Sequence, residues 1–292
     1  MTIVVGYPPN RRDKSVLSLA ALLARSSGED IVVSTVAPTP WPPGVVREDT
    51  AYQSQIDDMT ESALAQARAD LPSDVPATFT TVKARSTPTG LMEAAEQHQA
   101  ALIAVGSSAA GLFGHIALSS VADRLLHSSP IPVALAPRGF RAADIGKVTR
   151  ITVAYTGSEQ SDLLLRAAGD LARRFGVAIR LASFGVQHAP PMTARFRTES
   201  ADVVEEWKAN IQEAARRVLD GDEPNVVIGQ GSDWEMALND IDWDDGELLV
   251  IGSSESGPVA RVFLGSRAAK IIRHTPVPVV IVPRDAAESY QQ

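Results

Sequence analysis

The sequence predicts an α/β protein of two tandem domains, each a five-stranded, mostly parallel sheet with helices on both faces. Three observations carry this prediction. The chain has 292 residues, longer than one average domain. Three sequence blocks recur in the same order at nearly one spacing. Within each repeat, short apolar runs alternate with stretches of helical periodicity.

The repeat is explicit. Ala104-Val105-Gly106-Ser107-Ser108 returns as Val250-Ile251-Gly252-Ser253-Ser254, and Pro130-Ile131-Pro132-Val133 returns as Pro276-Val277-Pro278-Val279. A spacing of 146 residues separates Gly106 from Gly252 and Arg138 from Arg284. At the front, Ile3-Val4-Val5-Gly6-Tyr7 matches Ile151-Thr152-Val153-Ala154-Tyr155 at nearly that spacing. Ordered blocks at one period mark a duplicated unit. The predicted domains are 1–139 and 150–285, separated where Gly139, Arg141, Asp144 and Lys147 interrupt the apolar pattern.

Each half opens with a short strand, Ile3 to Val5 in the first. A helix follows, with Val16, Leu19, Ala20 and Leu23 on one face, and Leu164, Ala167, Ala168 and Leu171 repeating that spacing. Second strands are predicted at Ile31 to Val36 and Val177 to Phe184. A variable stretch comes next, proline-rich in the first half at Pro38, Pro40, Pro42 and Pro43. It reads as a surface loop, with docking of a partner in an extended conformation as the alternative. Helices are predicted at Gln55 to Leu71 and Ala201 to Leu219, and third strands at Ala77 to Ala84 and Asn225 to Ile228. Shorter helices follow at Thr89 to Gln97 and Trp234 to Asp240. A fourth strand ending in Gly-Ser-Ser, a last helix and a last strand close each half. Strands apolar throughout, each followed by a helix, indicate a parallel sheet covered on both faces.

Composition narrows the function classes. An apolar fraction of 45% argues against disorder, and the absence of cysteine excludes disulfides, thiolate metal sites and a cysteine nucleophile. There is neither a basic leader nor an apolar run of roughly 18 residues, so a cytoplasmic protein without membrane partners is expected. The net charge is −8, and basic residues occur only as short pairs such as Arg11-Arg12, Arg173-Arg174 and Arg216-Arg217. This weighs against a nucleic-acid partner, which needs a basic patch to displace counterions.

The order of elements, closed by Val-Gly-Ser-Ser, a helix and a Pro-x-Pro-Val strand, resembles the universal stress protein family, once per half. Gly252 through Pro283 is the more specific copy and Gly106 through Pro137 the weaker. The resemblance implies the adenine nucleotide alpha hydrolase-like fold, in which the last strand pairs with the same strand of a second domain. Within one chain, Ile131 to Ala136 would then lie antiparallel to Val277 to Val282, giving a pseudo-two-fold internal dimer. Each run alone would be a bare apolar edge that invites uncontrolled pairing. A homodimer of such chains stays open.

The resemblance also implies ATP bound through Gly-x2-Gly-x9-Gly-Ser/Thr after the fourth strand, and an aspartate after the first. The corresponding residues are Gly252, Glu255, Gly265 and Ser266 in the second half, and Gly106, Ala109, Ser119 and Ser120 in the first. A carboxylate at Glu255 would cost about 1–4 kcal/mol beside a phosphate. The aspartate is replaced by Tyr7 and Tyr155, which could stack, hydrogen-bond or plug the pocket. Candidate ligand contacts are Gly6, Tyr7, Val36, Gly106, Ser107, Ser119 and Ser120, with Tyr155, Gly252, Ser253, Gly265 and Ser266. Neither half carries the full set, and the milder first half is favoured if ATP binds. Ser120 and Ser266 have an alternative role as helix N-caps, and Gly106 and Gly252 as turn glycines.

Other candidates point elsewhere. The five histidines show no metal-ligand spacing; His127 and His274 fall near helix ends. No Gly-x-Ser-x-Gly elbow is present. The run from Asp240 to Glu247 reads as a solvated loop, and Trp207 as a core anchor. The expected function is that of a non-catalytic stress-response or regulatory protein with degraded nucleotide clefts. It would act by binding a protein partner, an adenine nucleotide or another small ligand; the alternative is an ATP-binding signalling switch.

Overall fold

The computed structural model describes residues 2–9, 13–39, 50–142, 146–186, 195–219, 224–253 and 265–283, with only the backbone at 50–52, 159–160 and 195–201. Arg11, Arg12, Pro40, Pro42, Pro43, Asp144, His188 and Glu255 lie outside the described residues. The chain divides into two compact units, Met1–Lys147 and Val148–Gln292.

In the first unit the order is β1 (Thr2–Gly6), α1 (Ser15–Ser27), β2 (Asp30–Pro38), α2 (Thr50–Asp70), β3 (Ala77–Ala84), α3 (Thr87–Gln97), β4 (Ala100–Gly106), α4 (Ser120–Ser128) and β5 (Val133–Ala136). Its strands lie in the order β3-β2-β1-β4-β5, and all these pairings are parallel. The second unit repeats this with β6 (Arg150–Ala154), α5 (Glu159–Phe175), β7 (Ala178–Val186), α6 (Arg195–Val218), β8 (Asn225–Gly231), α7 (Trp234–Asn239), β9 (Glu247–Gly252), α8 (Ser266–His274) and β10 (Val279–Val282). Its strand order is β8-β7-β6-β9-β10, again parallel. In each unit the winding reverses between the first and fourth strands. That reversal opens a crevice at the strands' C-terminal ends, the ligand position of open α/β sheets.

The apolar runs form strands because both faces are covered. Ile3, Val4 and Val5 are no more than 2% exposed, and Ile151 and Val153 are fully buried. On α1, Leu17, Leu19 and Leu22 are buried against the sheet, each contributing about 1.5–3 kcal/mol of transfer free energy. The helix stops at Gly28, whose φ of 72° is left-handed and lets its N–H bond the Ala24 carbonyl at 2.7 Å. Gly176, with φ 68°, ends α5 in the same way. The last strands start later than the apolar pattern suggests. Pro132 and Pro278 directly precede them and have no N–H to give; each instead accepts through its carbonyl, from Ile103 at 3.0 Å and Leu249 at 2.9 Å.

Two expectations are corrected here. The N-cap of α4 is Ser119, whose hydroxyl accepts the Ala122 N–H at 3.1 Å, and that of α8 is Gly265. Ser120 and Ser266 are the first helical residues instead. Nor is the stretch from Asp240 to Glu247 simply a solvated loop. Glu247 opens β9 fully buried and accepts from Arg150 at 2.7 Å, Arg180 at 2.6 Å, the Thr152 hydroxyl and the Asp244 N–H at 3.1 Å. Arg180, only 3% exposed, also donates to Thr152 Oγ1 at 3.0 Å and the Asp242 carbonyl at 2.9 Å, beneath the Trp243 ring. A carboxylate can be buried only when paired, and two guanidinium groups supply the pairing. This network ties β6, β7 and β9 together at their N-terminal ends.

Candidate functional site

The crevice of the second unit holds a cleft of about 990 Å³ at the C-terminal ends of β6, β7 and β9. Five residues singled out in the sequence meet there: Tyr155, Gly252, Ser253, Gly265 and Ser266.

Tyr155 follows β6 and is 1% exposed, its hydroxyl donating to Asp162 Oδ1 on α5. Burial, and then the Asp162 carboxylate, raise its pKa far above that of an ordinary phenol. The group is therefore a neutral donor already committed to a neighbour. The next residue, Thr156, is exposed and lines the cleft. With Ser158, the N-cap of α5, and Ser161, it forms a hydroxyl-rich rim that sequence reasoning missed. The signal was Thr156-Gly157-Ser158, where Gly157 turns the chain with φ 75° into a capped helix.

Gly252 ends β9 without a positive φ, and a Cβ built there would meet Leu164 only at 3.5 Å, an ordinary contact. Gly106 is equally unconstrained, its nearest neighbour being Val16 at 3.8 Å. Among the described residues, neither turn nor packing needs glycine at these positions, so the turn role weighed for them is not what holds them there. Across the cleft, Gly265 caps α8 without a side chain, leaving first-turn N–H groups and the helix dipole's positive end beside Ser266 and Arg267. Trp207 is not a core anchor: it is half-exposed, lines the cleft and packs over Gly185, whose missing side chain makes room for the ring.

The first unit uses its corresponding residues differently. A Cβ on Gly6 would stand 2.7 Å from Leu91 Cδ1, and Val36 packs against Gly90, so both serve the contact with α3. Tyr7 is 2% exposed, with no hydrogen-bond partner for its hydroxyl among the described residues. The Ser107 hydroxyl accepts the Ala117 N–H at 2.8 Å, and Arg138 donates to the Gly111 carbonyl at 2.6 Å. The loop after β4 is thereby tied to itself and to the segment after β5, with Gly106 at its start and Ser119 and Ser120 leading into α4.

The family model for the universal stress protein family matches residues 1–137 and again 147–283. The chain belongs to the universal stress protein family. Universal stress proteins of Mycobacterium tuberculosis and Mycobacterium bovis are each 35% identical to it over 293 residues, covering 97% of this chain and all of theirs. A crystal structure of a universal stress protein from Archaeoglobus fulgidus shares the fold at 21% identity and a TM-score of 0.63, covering 96% of this chain and 98% of that one. As in this universal stress protein's sequence pattern, each family match spans one repeat. Among the described residues, no helix is long and apolar enough to cross a membrane.

Proposed function

We propose that this universal stress protein is a non-catalytic, cytoplasmic regulator whose second-unit cleft holds a small ligand and whose surface passes occupancy to a protein partner. One observation carries the reading: five residues named for a ligand site converge on one 990 Å³ cleft at the switch point of the sheet. Gly252 supports it, because a glycine that no contact among the described residues requires leaves space for a ligand to approach the backbone. The second unit is thus preferred over the first, whose Gly6, Val36 and Ser107 serve packing and loop closure.

The non-catalytic part rests on the polar groups of the cleft. Ser158 and Ser161 bond each other and the helix backbone, and Tyr155 is held by Asp162. The serine bonds cap and support the helix, and the one hydroxyl among these held by a carboxylate, Tyr155, is 1% exposed and closed to a substrate. The ATP-switch reading draws on Gly265 and Ser266 at the start of α8, which suit a phosphate. It is weakened by the phenol of Tyr155 at the place where the resemblance expects an acid.

The test is calorimetric titration with magnesium-ATP and with AMP, alongside an assay of phosphate release. A phosphate-bearing ligand should bind the wild type, and Gly252→Ala should weaken it about tenfold, or about 1.4 kcal/mol, at an unchanged thermal midpoint. Micromolar binding of magnesium-ATP would put the switch reading first. Sustained multiple-turnover release of phosphate would overturn the non-catalytic one.

A further inference from the structure

Three half-exposed aromatic side chains, Phe184, Trp207 and Trp234, line the second-unit cleft around the C-terminal end of β7. Successive strand residues face opposite sides of a sheet. Trp207 lies over Gly185, while Trp234 packs against Phe184 at a centroid distance of 6.5 Å and an angle of 51°. The two indoles therefore reach the end of β7 from opposite faces. Lys270 stands 6.0 Å from the Trp234 ring, and Arg267 lines the same cleft. Among the described residues neither cation has a carboxylate partner. Partly exposed aromatic rings, beside cations with no carboxylate partner among the described residues, match a flat, negatively charged ligand.

Resting on the reading of this cleft as a ligand site, we infer that it selects by stacking: it takes a flat aromatic ring bearing an anionic group, with little discrimination between ring systems. The ring lies against Trp234 and Trp207. The anion sits at the start of α8, beside Ser266 and Arg267. Discrimination between rings requires fixed donors and acceptors at their edges, whereas every aromatic base presents a similar π-face. The hydroxyls of the cleft described above are committed to neighbours: Tyr155 donates to Asp162, Thr156 and Ser158 bond each other, and Ser161 donates to the Ser158 carbonyl. The copy in the first unit lacks this device, since the residue that starts α3 after its cap is Thr87, where α7 starts with Trp234.

The experiment is calorimetric titration of the full chain with AMP, GMP, UMP, phenyl phosphate, adenosine and ribose 5-phosphate. The four ring-bearing phosphates should bind within about tenfold of one another, while adenosine and ribose 5-phosphate bind at least about tenfold more weakly. Trp234→Leu should weaken all four together by about tenfold, and Trp234→Phe should restore most of the loss. Trp207→Leu is the second variant should Trp234→Leu fail to fold. Binding of AMP with exclusion of GMP and UMP would overturn the inference, as would ring-bearing probes indifferent to both tryptophan changes. Ribose 5-phosphate binding as well as AMP, and weakening in Gly252→Ala, would remove stacking while leaving the cleft a ligand site. Failure of every probe would remove both.

Discussion

Tyr7 and Tyr155 occupy the same place in two copies of one unit, yet only one has a partner. Tyr155 donates to Asp162; in the first unit Lys14 lies near the start of α1 and pairs with Asp70 at 2.6 Å, leaving the Tyr7 hydroxyl without an acceptor among the described residues. An unpaired buried hydroxyl is a cost that its removal relieves, whereas removing a paired one strands the acceptor. Tyr155→Phe should therefore lose about 1–2 kcal/mol in urea unfolding, and Tyr7→Phe should be neutral or slightly stabilising. The reverse order would show that the two hydroxyls have been assigned wrongly. Both phenols have raised pKa values, from burial first and then from Asp162 for Tyr155, or Asp70 and Asp13 for Tyr7. A folded-state pKa above the unfolded one gives stability that is complete below about pH 10 and declines as the pH rises beyond it. Unfolding free energies measured across that limb should fall, and fall less steeply in either Phe variant; identical slopes would sink the assignment. The sequence located both tyrosines but not their difference, because a partner seven residues away on a helix is visible only once the helix is packed.

The elements were legible where physics is local. β-branched runs became buried strands and helical spacing became amphipathic helices, whereas β5 and β10 begin only after Pro132 and Pro278, later than the apolar runs from Ile131 and Val277 suggest. The Glu247 network was not legible, because Arg150, Arg180 and Glu247 meet only through the strand order β7-β6-β9. In the sequence Glu247 looked like the tail of an acidic loop. Breaking one side of a buried ion pair strands the other charge, so Glu247→Leu should cost about 3–5 kcal/mol in urea unfolding. Combining it with Arg180→Met should recover most of that loss, since apolar replacements of buried pairs are often tolerated. A single-variant loss below about 1 kcal/mol would mean that the strands hold their register without the network.

Duplication and fold were open to reading across the whole chain, because three repeated blocks at one spacing survive in it. The chemistry of the cleft was only half so. Gly252 and Ser253 fall in a repeated block, and the family's glycine spacing reaches Gly265 and Ser266. Trp207 and Trp234 sit in helical segments where an aromatic residue looks like core, and their exposure depends on Gly185 and on the end of β7. Since the copies have parted at these positions, saturating titration should give one ligand per chain, and two equivalent sites would show that the first unit kept an equal cleft. The Glu247 network and the cleft lie at opposite ends of the same strands, β6, β7 and β9. Alignment of the sheet is thus fastened far from the place where ligands are chosen. The mouth of the cleft can therefore change its side chains, as Thr87 and Trp234 differ between the two copies, without risking a slipped strand.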